Sequence, residues 1–200
     1  MRRHTDLSTV LGRIWQRLAD AADDPSHPYR RLVFGTVRGK APRLRTIVLR
    51  RVHSDERQLI FHTDRRSQKA AEVRSNDSTA LHGWDPTGRE QVRLRGSSTI
   101  HEEDTVADDL WAAESPESLA VYPGATAPGT PVESPDVRGR TPGSPSQPPA
   151  EESAGREHFA AVRTVIDEID WLHLHPEAHD RAQFHFDPGR AAFEGQWVAP

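Results

Sequence analysis

Five short runs rich in β-branched and aromatic residues follow one another between residues 31 and 100. They are RLVFGTVR (31–38), LRTIVLRRV (44–52), RQLIFHT (57–63), TALHGW (79–84) and REQVRLRGSSTI (89–100). Runs of this length and composition, bounded by Gly, Pro, Asp and Asn, read as strands. In the last of them Val92 and Leu94 alternate with Gln91, Arg93 and Arg95, as in an antiparallel sheet with one wet face. Three more such runs come later: 162–175, two strands or one with a bend, then 181–187 and 190–198. Seven or eight strands with short helical pieces between them predict a β-barrel or sandwich with peripheral helices, classed all-β or α+β.

The helices are few. Leu7, Val10, Leu11, Ile14 and Leu18 recur at offsets of three and four, one apolar stripe, which Asp23, Asp24, Pro25 and Pro28 end. Residues 67–74 form the strong helix signal of the middle region, with Ser67 as N-cap. Two short helices broken at Ser115-Pro116 are predicted over 102–121, and another over 154–161. Between them, Pro123 to Pro149 holds 8 of the 16 prolines, interleaved with Gly, Ser and Thr. Such a stretch buries too little apolar surface to offset its ordering entropy, so 124–153 reads as structureless. The chain therefore divides into residues 1–122, the main part of the barrel; a flexible Pro/Gly/Ser-rich insertion, 123–153; and the C-terminal strands, 154–200.

Composition removes several function classes. With no cysteine, disulfides, thiolate metal sites and cysteine nucleophiles are out. A net charge of −4 argues against a general nucleic-acid binder. No stretch has the length and apolarity of a signal or a membrane span, so a cytoplasmic protein with no membrane partner is expected.

Sequence motifs remove others. There is no G-x-S-x-G elbow, no GxGxxG and no Walker loop. His173 and His175 would share a strand face, with His179 and His185 nearby, but the spacing is not that of a metal site and none is expected.

The cations are better placed. FHTDRRSQKAAEV (61–73) puts Arg65, Arg66 and Lys69 around a helix start, where the macrodipole is already positive. Alone, this is a solvated charge cluster. RTIVLR (45–50) adds Arg45 and Arg50 at the ends of an apolar strand. With Thr63 and Ser67, the set suits a phosphomonoester. Gln91, in EQVRLRG, offers donor and acceptor to the imide edge of a heterocycle.

The order RTIVLR, FHTDRRSQK, a Trp-containing strand and EQVRLRG resembles the pyridoxamine 5'-phosphate oxidase-like family of FMN-binding split barrels. The block IDEIDWLHLHPEAHDRAQF…FEGQWVAP resembles that family's C-terminal end. The resemblance implies an antiparallel split barrel of six to eight strands and a homodimer with FMN at the subunit interface. By matched position Arg45, Thr46, Ile47, Val48, Leu49 and Arg50 would line the FMN ribityl and phosphate. His62 and Thr63 would touch ring or chain, and Lys69 the phosphate. Gln91 would meet the pyrimidine edge, and Arg181 would contact FMN from the C-terminal block. His179 matches a substrate-side histidine and is the catalytic residue expected, a proton donor or acceptor for a small-molecule substrate.

The departures are specific. Gln68 stands where the family has an arginine beside the lysine, with Arg66 as its stand-in, Ser67 between them and Arg65 left to solvent. Trp111 lies near a substrate-side tyrosine position, LWAAESPESLAVY contains no arginine, and Glu177 replaces another. Loss of these cations disfavours dianionic pyridoxamine phosphate as substrate. The resemblance therefore points to an FMN-dependent oxidoreductase with an altered pocket. The alternative is a non-catalytic flavin, haem or deazaflavin binder or sensor.

Overall fold

The computed structural model describes residues 6–133 and 155–200. Helix α1 (Leu7–Asp23) starts on Asp6, whose carboxylate accepts from the Ser8 amide at 3.0 Å. Its stripe buries Val10, Ile14 and Leu18, while Leu7 and Leu11 stay half-buried. The strands are β1 (Arg31–Arg38), β2 (Ala41–His53), β3 (Gln58–Asp64), β4 (Ser78–Asp85), β5 (Glu90–His101), β6 (Phe159–His173), β7 (Asp180–Asp187) and β8 (Ala192–Trp197). Helix α2 (Gln68–Ser75) follows β3, and the short helices α3 (Thr105–Ala112) and α4 (Pro116–Leu119) follow β5.

Every pairing is antiparallel. The order β3-β2-β1-β4-β5-β6 closes on itself through a β3–β6 ladder, giving a six-stranded barrel. Strand β6 also carries the extension. On one edge its Phe159–Val165 half pairs with β3 and its Glu168–His173 half with β7, while β5 runs along the other edge. The barrel is filled by Leu32, Phe34, Leu49, Phe61, Leu81, Val92, Leu94 and their neighbours, none more than marginally exposed. A smaller apolar cluster (Ile60, Leu110, Tyr122, Phe159) seats α3 outside β3 and β6.

Two irregularities interrupt the ladders. Between β2 and β3 the register shifts at Arg50. Between β5 and β6 it shifts at Gly96, with Asp167 the extra residue. Gly96 permits the second, because a Cβ there would stand 1.9 Å from the Val165 carbonyl oxygen.

Some expectations need correction. Of the two readings of 162–175, one strand with a bend is the one found: β6 is continuous with a bulge, but it begins earlier, at Phe159. The helix expected over 154–161 is therefore only a 3-10 turn, Arg156–His158. Ala160 and Ala161 favour a helix by propensity, but their ladder with Thr63 and His62 prevails. The Pro-rich stretch from residue 134 onward lies outside the described residues.

Candidate functional site

The clearest constellation sits where β3 hands over to α2. Thr63 and Ser67 are buried, and their hydroxyls are 3.1 Å apart. The Lys69 ammonium donates to Thr63 Oγ1 at 3.0 Å. Burial pushes the Lys69 ammonium below its ordinary pKa, and nearby Arg45 adds to the effect. Ser67 is the N-cap of α2 by position, as expected, but its side chain makes no capping bond. Ala70 and Ala71 donate to the Ser67 carbonyl, while the Gln68 and Lys69 amides have no acceptor among the described residues. Two orphan amides, two hydroxyls and an ammonium thus converge on a helix start, which is a fit for a phosphate group.

The neighbouring strand leaves room for it. β2 pairs with β3 only from Leu49 to His53, so the edge of β2 along 45–48 has no strand partner on that side among the described residues. Of these residues Thr46 and Val48 are exposed. Ile47 and Leu49 point into the barrel core, so their expected role in lining a ligand can come only from backbone groups.

The arginines are more committed than the sequence suggested. Arg45 donates to Glu72 Oε2 at 2.6 Å and to Thr36 Oγ1 at 2.5 Å. Arg66, the expected stand-in, is held by Asp64 at 2.7 Å and by the Gly124 carbonyl at 2.9 Å. Arg65 is not left to solvent, since it pairs with Glu102 and Glu103.

On the outer face of β2 and β3, Arg50 and His62 share Glu114, at 3.7 and 3.8 Å. His62 packs edge-on against Phe159, and its Nε2 is buried without a partner among the described residues. Burial, aided by Arg50 and Arg51, pushes its pKa down to about 3, so the ring is neutral.

A second constellation lies at the other end of β6. Gln91 Oε1 is 3.3 Å from His82 Nε2, beside the partly exposed Trp84. Asp170 accepts from Arg181 Nη2 at 2.8 Å, from Gln183 Nε2 at 3.0 Å and from Arg93. Burial alone would raise the Asp170 carboxyl, but the three donors outweigh it and hold the pKa at about 2. His179 is exposed in the loop before β7. Glu177 is exposed in the same loop, and its amide donates to His175 Nδ1. His175 lies beyond the end of β6, so it does not share a strand face with His173.

These two constellations are far apart. Thr63 pairs with Ala160 and Gln91 with Leu172, twelve residues further along β6. At the usual rise per residue this is roughly 40 Å along the strand.

Residues 13–102 match the family model for the FMN-binding domain of pyridoxamine 5'-phosphate oxidase. A pyridoxamine 5'-phosphate oxidase-related FMN-binding protein from Nostoc punctiforme superposes with a TM-score of 0.74 at 24% identity, covering 94% of this chain and 96% of that one. The chain has the split-barrel fold of these pyridoxamine 5'-phosphate oxidase-related proteins, and its residues 13–102 carry the match to the FMN-binding domain model. PhzG from Burkholderia lata, solved with tetrahydrophenazine-1-carboxylic acid, gives a TM-score of 0.71 at 18% identity over 96% of this chain and 92% of that one. A Clostridium acetobutylicum protein related to general stress protein 26 gives 0.54 at 10% identity, covering 89% and 99%. No curated protein matches the chain.

Within this pyridoxamine 5'-phosphate oxidase-like barrel, the matched segment contains Arg45–Arg50, His62–Lys69 and Gln91, but ends before His179 and Arg181. Trp111 packs against Phe159 and Tyr122, forming an aromatic wall over β3 and β6. Sequence reasoning missed Glu72, Glu114 and Asp170. Each is an acid that answers one of the cations it did find.

Proposed function

We propose that the protein is a cytoplasmic FMN-dependent oxidoreductase acting as a homodimer. The observation that carries this is the convergence of Lys69, Thr63, Ser67 and the uncapped start of α2 beside the open edge of β2. Those groups would hold the FMN phosphate by charge-assisted and amide hydrogen bonds. Arg45, Arg50 and the backbone of 46–49 would flank the ribityl chain, and His62 would pack beside it as a neutral ring. Arg66 keeps its bonds to Asp64 and Gly124 and contributes at longer range.

Gln91 and Arg181 suit the pyrimidine edge of the flavin ring, Gln91 as donor and acceptor and Arg181 as a cation. They lie much further along β6 from Lys69 than an extended FMN can reach. One chain therefore supplies two half-sites, and a second copy is needed to complete each, which supports the dimer. Bound FMN would supply the hydride and electron chemistry. His179, exposed at the mouth of the Gln91 half-site loop, would donate or accept a proton of the small-molecule substrate. Glu177 beside it and Glu114 beside Arg50 disfavour a dianionic substrate such as pyridoxamine phosphate.

Two measurements test this. Purified protein is expected to be yellow and to release FMN on denaturation; colourless protein that gains nothing on FMN titration refutes the reading. Lys69→Gln and Arg181→Gln homodimers should both bind FMN poorly. Their mixed dimer should regain one normal site per two chains, because both lesions then fall in the other site. A mixed dimer no better than its parents refutes the shared site.

A further inference from the structure

Glu72 lies on α2, close behind Lys69, and is 4% exposed. Its Oε2 accepts from Thr36 Oγ1 at 2.6 Å and from Arg45 at 2.6 Å. Its Oε1 is buried with no donor among the described residues. A carboxylate is an expensive way to fill space there, since it must be desolvated and half of it goes unanswered. Ala70 and Val73 already supply the apolar contacts of the helix. An acid in this place asks for another explanation.

The charges around the helix start supply one. Arg45 is answered by Glu72 and Arg66 by Asp64. Among the described residues Lys69 has only the neutral Thr63 hydroxyl as a hydrogen-bond partner, with Asp64 and Glu72 acting on it at longer range. Arg43, on β2, is exposed and acts on Glu72 at longer range.

We infer that Glu72 sets the charge at the phosphate end of the flavin site. By answering Arg45 and acting on Lys69 itself, it lowers the net positive charge next to α2, and so limits how strongly the site prefers a phosphorylated flavin to an unphosphorylated one. This rests on the proposed binding of FMN. A phosphate dianion gains less where Glu72 removes one net positive charge, and the difference must appear in phosphate-dependent binding alone.

The test compares FMN with riboflavin, which lacks the phosphate, by fluorescence titration of the full chain. Glu72→Gln keeps the size of the side chain and an acceptor for Arg45 and Thr36 but removes the charge. It is expected to tighten FMN binding roughly tenfold or more, to leave riboflavin binding unchanged, and to lose part of that gain in added salt. Arg45→Gln placed on top of Glu72→Gln should reverse the gain.

FMN binding that is unchanged or weaker in Glu72→Gln, with riboflavin binding retained, overturns the inference. If that variant binds neither flavin because it does not fold, two other variants decide. Arg45→Gln, which leaves the Glu72 charge unanswered, should weaken FMN binding about as much as Lys69→Gln does, and an Arg45→Gln variant with unchanged FMN affinity overturns the inference. A wild-type protein that binds neither flavin removes the FMN reading itself, a result distinct from all of these.

Discussion

The ammonium of Lys69 donates to the hydroxyl of Thr63 across 3.0 Å, which ties the first turn of α2 to the last residues of β3. That bond uses one of three donors on a cation drawn out of water. Lys69→Ala should therefore weaken FMN binding by about 2 kcal/mol, the scale of a charge-assisted hydrogen bond. Thr63→Val should cost less, about 1 kcal/mol. Isothermal titration of the two variants checks the order; a larger loss at Thr63 would mean that the hydroxyl and not the cation meets the phosphate.

His62 makes stability depend on pH in a defined window. Its folded pKa, about 3, lies below the ordinary 6.5. Between those values the unfolded chain binds a proton that the native ring refuses, so stability is lost as pH falls below about 6.5. The limiting slope is about 1.4 kcal/mol per pH unit. His62→Gln should flatten that part of the profile, as read from urea midpoints between pH 7 and 4.

Asp170 acts lower on the scale. Its folded pKa of about 2 is depressed from 3.8, so its contribution is fully present above about pH 4 and lost as pH falls through 2. The shift corresponds to about 2 kcal/mol. Asp170→Asn should forfeit it at neutral pH and show a correspondingly smaller further loss on acidification to pH 2. It should also loosen Arg181, which NMR of the guanidinium Nε–H would report.

The insertion leaves and returns at one place. A Cβ on Gly155 would stand 2.6 Å from the backbone nitrogen of Pro123, so the two ends of the excursion already touch. Replacing 125–153 with a short Gly/Ser link should keep the melting temperature within a few degrees and preserve FMN binding. Loss of the dimer would instead make the segment an interface arm.

Much of this was legible in the sequence for a physical reason. Alternation along β5 and the apolar stripe of α1 report burial directly, and Ser67 with Lys69 marks a helix start that carries an unexplained cation. Glu72 was not legible, because an acid within a short helix looks like any solvated position until Thr36 and Arg45 are brought to it from other strands. The stretch around Ala160 and Ala161 misled because a local preference for helix was weighed without the strand β3 that pairs with it. Ile47 and Leu49 were assigned to the ligand by matched position, although their alternation with Thr46 and Val48 places them in the core.

Asp170 escaped for a subtler reason. Before the bulge the core-facing residues of β6 are even-numbered, Val162 and Ile166; after it they are odd-numbered, Ile169 and Trp171. The extra residue at Asp167 shifts the phase of the strand by one. Without it Asp170 would project into the barrel, and Trp171 would face outward beside Arg181. A glycine on one strand thus decides which side of the sheet receives a carboxylate on the next. Gly96 governs the polarity of a surface on which it has no side chain of its own.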